Sequence, residues 1–123
     1  MWAILSDPAH AEGFAEHGEA YAPMRRLVAS LSGRPYAGSL SAYNSLTTFV
    51  ITFAAGHSER EGHDEVAVRF NPGTGAFGVS YAEWVSATRN PTHRIVAGRS
   101  CWEDDALSVV DLYVLRLHMT RQR

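Results

Sequence analysis

Residues 64–70 and 76–81 alternate apolar and polar side chains on either side of the turn Asn71-Pro72-Gly73-Thr74-Gly75. Val66, Val68 and Phe70 interleave with Glu65, Ala67 and Arg69; Phe77, Val79 and Tyr81 interleave with Gly78 and Ser80. A period of two buries one face of a strand and leaves the other for solvent. The turn supplies a proline with fixed φ and glycines that accept positive φ. This pattern predicts an antiparallel hairpin with Val66, Val68, Phe77 and Val79 on one buried face and Glu65 and Arg69 pointing away. Just upstream, Thr47 to Phe53 are all β-branched or aromatic. They predict a strand over about 45–55, apolar on both faces and therefore central in a sheet. The middle of the chain, residues 44–81, thus reads as a three-stranded meander between helical flanks.

The flanks carry a different period. Asp7-Pro8 suits a helix start, with aspartate as cap and proline in the first turn. The segment that follows is weakened by Gly13 and Gly18, and Pro23 breaks it. His10 and His17 share one face of that weak helix and are expected at the surface. Met24, Leu27, Val28 and Leu31 then form one apolar stripe, ended by Gly33. Residues 34–43 read as a Gly/Ser-rich loop, 82–85 as the start of a short helix, and 93–97 as a fourth strand ended by Gly98. Ser100-Cys101-Trp102-Glu103 matches a capping box. A helix over 103–118 follows, acidic at its start and basic at its end, as the helix dipole favours. Leu107, Val110, Tyr113, Val114 and Leu117 make a broad apolar face on it; Leu112, Leu115 and Met119 make a second stripe.

The expected fold is one α+β domain over residues 1–123. It has two layers: an N-terminal helical segment, a four-stranded mostly antiparallel sheet, and a C-terminal helix. A length of 123 residues supports one unstapled core, and 46% hydrophobic against 20% charged residues is a globular balance. A formal net charge of −2 gives no positive field for nucleic acid or an anionic membrane. All the basic residues are arginine, and with the abundant alanine and glycine this reads as a GC-rich bacterial coding bias. The N-terminus lacks the basic and long apolar regions of a signal peptide, no apolar run approaches a membrane span, and one cysteine forms no internal disulfide. Together these point to the cytoplasm.

Candidate chemistry is sparse. Cys101 would open the last helix, where free amides stabilise a thiolate, and His93 lies eight residues upstream. The acids at 103–105 oppose that thiolate, and the alternative is a small buried residue beside Trp102. His57, His63 and Asp64 surround an acidic loop, with no spacing that defines a metal site; a solvated loop tip is the plainer reading. The glycines at 73 and 75 join two strands and so form no phosphate cradle. No cofactor is implied. Trp84 and Trp102 fit either core packing or an interface.

The order of elements resembles, at the level of architecture, small bacterial partner-binding proteins such as toxin-neutralising immunity proteins and secretion chaperones. The leading expectation is a non-catalytic protein-binding module, motivated by the sparse catalytic chemistry and by the second stripe on the last helix. Leu112, Leu115, Met119, Trp84 and Trp102 are the contact candidates, and the partner is another protein or a second copy in a homodimer. Two other functions compete: a small cysteine-dependent enzyme using Cys101 and His93, and a small-molecule sensor with a pocket between helices and sheet.

Overall fold

A computed structural model describes residues 2–56, 59–86 and 89–121, the last without its side chain. Six strands form one sheet in the order β1 to β6, each antiparallel to the next: β1 (Ala3–Ile4), β2 (Ser41–Ser45), β3 (Thr48–Thr52), β4 (Glu65–Asn71), β5 (Ala76–Val85) and β6 (Thr92–Cys101). Among the described residues three α-helices accompany them: α1 (Ala9–Gly13), α2 (Ala22–Ser32) and α3 (Glu103–Arg121). The α+β class, the antiparallel sheet and the helical flanks agree with the sequence reading; the sheet has six strands where four were expected.

The predicted hairpin is present and in register. Val66 faces Tyr81, Val68 faces Val79 and Phe70 faces Phe77, and none of the six is more than 8% exposed. Asn71 organises the turn: its Oδ1 accepts from Gly73 N at 2.8 Å and its backbone oxygen from Gly75 N at 2.8 Å. Gly75 sits at φ 78°, where glycine is the natural occupant. β3 is central, as its two apolar faces required.

Several boundaries differ, each for a local reason. The strand expected over 45–55 is shortened to β3, Thr48–Thr52, the second arm of a hairpin that reverses at Leu46 with φ 56°. Its first arm, β2, lies partly in the expected loop; Ala42 and Tyr43 are both buried although the segment is rich in serine. Residues 82–85 continue β5 instead of starting a helix, since β6 pairs with β5 as far as Val85. β6 runs through Gly98 to Cys101. Ser100 is therefore a strand residue, three positions before the helix start at Glu103, and the capping box does not form. The N-terminal segment is a short α1, two 3₁₀ turns separated by Gly18 at φ 84°, and then α2 with Pro23 in its first turn. The N-cap position of α1 is Pro8, not Asp7; Asp7 lies one residue earlier, and its Oδ1 accepts from Ala9 N at 2.9 Å. His10 is buried, not at the surface, and its Nε2 lies 3.0 Å from the Ile4 carbonyl oxygen of β1.

The helices cover one face of the sheet. Met24, Leu27, Val28 and Leu31 of α2, and Ala106, Val110, Val114 and Leu117 of α3, share a core with Phe49, Ile51, Val66, Val68, Val79 and Tyr81. Arg26 bridges to Glu103 and Arg34 to Asp111, each pair 77 positions apart. Both pairs advance by the same step, so α2 and α3 run side by side in one direction. Tyr36 also donates to Asp111, at 2.5 Å; burial first, then that carboxylate, raise its pKa. No helix among the described residues is long and apolar enough to cross a membrane.

Candidate functional site

α3 is apolar on two sides. Its inner side closes the core. Its outer side carries Leu112, Leu115 and Met119, which are 58%, 57% and 64% exposed. At spacings of three and four they form one row along the helix. α2 lies beside α3, but among the described residues nothing shields this row. Trp102, immediately before α3, is 62% exposed and so belongs to the surface. Trp84 is half-buried on the opposite side of the sheet, edge-on to the His93 ring with centroids 5.2 Å apart. The five contact candidates therefore fall into two groups separated by the sheet.

The face of the sheet turned away from the helices carries its own cluster. Strand alternation brings Tyr43, Glu65, Arg69, Ser80 and His93 onto it, and Arg60 reaches over from the loop between β3 and β4. Glu65 is the hub. It points away from the core, as expected, yet is only 6% exposed, because Arg60 donates to it through Nε at 2.5 Å and Nη2 at 3.1 Å. Tyr43 donates to the same carboxylate at 3.3 Å, and His93 Nε2 lies 3.5 Å from it. His93 Nε2 is also 2.8 Å from the His63 carbonyl oxygen, which ties β6 to the loop. Burial, then the negative charge of Glu65, push the Tyr43 phenol up to about 12. Together these side chains rim a cleft of about 320 Å³.

The structure does not bring Cys101 and His93 together. They sit at opposite ends of β6, about 26 Å apart for eight extended residues. A register shift at Tyr81/Ala82 also puts them on different faces: Cys101 packs against the core, and His93 lines the cleft. Cys101 ends a strand instead of opening a helix. Burial first, then the charge of Asp105, raise its pKa, so the thiolate argument loses its basis. Of the metal candidates, His57 lies outside the described residues. Asp64 accepts from Tyr81 Oη at 2.7 Å and from Trp84 N at 3.1 Å, which fastens the start of β4 to β5. His63 contributes only its backbone carbonyl to the cluster. Among the described residues no three His, Cys, Asp or Glu side chains converge as metal ligands.

The Arg60–Glu65–Tyr43 cluster was not singled out from the sequence. A signal for the cleft was present, however. Among the nominally polar positions of β4 and β5, Ala67, Gly78, Ser80 and Ala82 are far smaller than the long polar side chains a wet sheet face can carry. Compared with protein-family models, curated proteins and solved structures, the chain matches none.

Proposed function

We propose that this chain is a small, non-catalytic protein-binding module that engages its partner through the outer side of α3. The supporting observation is the row Leu112, Leu115 and Met119, each more than half exposed on a helix whose other side is fully committed to the core. Single exposed leucines are ordinary, but three large apolar groups in one row mark a contact. Trp102, at the start of the same helix, adds the residue type most enriched in binding hot spots. A partner of this kind agrees with the architectural likeness to bacterial immunity proteins and secretion chaperones. A second copy is the simplest partner, since two-fold homodimers are the commonest closed assembly.

The cysteine-enzyme reading loses its proposed base, because His93 lies at the far end of β6 on the other face, and burial with the charge of Asp105 favours the protonated thiol. The test of the binding reading is affinity capture from the source extract, run in parallel with sedimentation velocity. Wild type and Leu115→Glu are compared in both. A partner or a dimer present with wild type and absent with the variant, at equal circular dichroism, supports the proposal. Identical behaviour of the two proteins removes it.

A further inference from the structure

The cleft on the face away from the helices has the form of a small-molecule site, and its construction is legible row by row. One row crosses four strands in register: Val50 on β3, Ala67 on β4, Ser80 on β5 and Gly98 on β6. Past Val50 the side chains are small, and Gly98 has none. No helix lies on this face among the described residues, yet Val50 is 5% and Ser80 9% exposed. A small residue on an uncovered sheet face reaches such values only when taller neighbours wall it in. On one side the wall is the Arg60–Glu65 pair with Tyr43; on the other it is Arg69. Glu65 and Arg69 are four residues apart on β4, so the floor between them is about 13 Å long. Next to Arg69 the cross-strand partner is Gly78, and a Cβ there would meet nothing within 4 Å. The volume of about 320 Å³ falls at the lower end of ligand pockets.

The charges in the cleft do not cancel. Arg60 and Glu65 neutralise one another through paired hydrogen bonds. Arg69 has no carboxylate partner among the described residues; its Nη1 donates to the neutral Ser80 hydroxyl at 3.3 Å. A guanidinium has five N–H donors, so most of its fork is unused, and its planar geometry matches a carboxylate. The remainder of the lining includes apolar Val50, Ala67, Ala82 and Ile95. Among the described residues, one free positive fork over an apolar floor, with Glu65 at the far end, favours a single negative charge on an apolar body. A dianion would gain no second unpaired guanidinium among the described residues and would face the Glu65 carboxylate.

We propose that this cleft binds a small organic monocarboxylate, its head group on Arg69 and Ser80 and its apolar body over Ala67 toward Ile95. The site is separate from the α3 surface and stands or falls independently of it. The test is a titration of the ¹⁵N-labelled chain with benzoate, followed by backbone amide shifts, alongside benzyl alcohol and inorganic phosphate. Benzoate should move the amides of Ala67, Arg69 and Ser80 in a saturable way, and the other two probes should not. Arg69→Gln, at an exposed position, should keep the fold and weaken benzoate roughly tenfold or more, the loss of a charge-assisted pair. Ala67→Leu, which fills the floor, should weaken it as well; if that variant does not fold, Arg69→Gln alone decides. No saturable shift with benzoate, equal affinity in Arg69→Gln, or tighter binding of phosphate or benzyl alcohol would each overturn the proposal.

Discussion

On the inner side of α3, Ala106, Val110 and Val114 are at most 1% exposed; on the outer side, Leu112, Leu115 and Met119 keep more than half of their surface in water. The two stripes have similar hydrophobicity and the same helical spacing. What separates them is the sheet. Tyr81 and the valines of β4 and β5 fill the space beneath the inner stripe, whereas α2 is aligned beside α3 by the Arg26–Glu103 and Arg34–Asp111 bridges and does not climb over it. An apolar stripe therefore reports that a surface seeks cover, not that the same chain supplies it.

The comparison breaks most plainly under charge insertion. Val110→Asp should unfold the chain, as should Val68→Asp beneath it, because an unpaired buried charge costs several kcal/mol out of the roughly 5–15 kcal/mol that hold a domain together. Urea denaturation followed by circular dichroism measures this, and a soluble, folded Val110→Asp protein would mean that the inner side is misassigned. Glu65→Ala is expected to cost about 1–3 kcal/mol, since it strands the Arg60 and Tyr43 donors but opens onto a cleft that water can enter. A cost near zero would show that the hub is an ordinary surface ion pair.

The packing beneath α3 also sets a pH window. Burial is the main cause that pushes Tyr81, whose hydroxyl meets Asp64 and Thr120, up to about 12. Its unfolded value is about 10, so its contribution to stability is complete below pH 10 and is lost as pH rises toward 12. Tyr43 acts in the same direction. Chemical denaturation between pH 9 and 12 should show that decline, and ultraviolet titration should show three tyrosines, Tyr36, Tyr43 and Tyr81, ionising late. Flat stability across the range would contradict the burial of these phenols. A smaller effect is expected at the β2–β3 turn. Leu46 holds φ 56° and is 88% exposed, so Leu46→Asn should stabilise the chain by about 0.5–1 kcal/mol by relieving the left-handed conformation. A destabilised variant would imply that the leucine side chain has a contact of its own.

Much of the fold was legible because strong periodicity survives tertiary context. The β4–β5 alternation and the Met24–Leu31 stripe were read directly, and the α3 core face nearly so. The misreadings arose where local chemistry was outweighed by pairing. β2 is serine-rich, and the β2–β3 reversal occurs at a leucine, which carries no turn signal. β6 continues past Gly98 because β5 offers a partner to the end, and this takes Ser100 and Cys101 out of the helix. The open-face cleft was hidden for another reason. Its floor is defined by which small residues meet across strands, and register is not visible in a single stretch of sequence.

The central claim is that the outer side of α3 is a contact surface and not part of the core. Leu115→Glu tests it most directly, since an exposed substitution should leave stability within about 0.5 kcal/mol. Sedimentation velocity over a wide concentration range, paired with affinity capture from the source extract, should show a dimer or a retained partner for wild type and neither for the equally folded variant. A wild type that stays monomeric at millimolar concentration and retains the same proteins as Leu115→Glu would contradict the claim, as would a variant that unfolds.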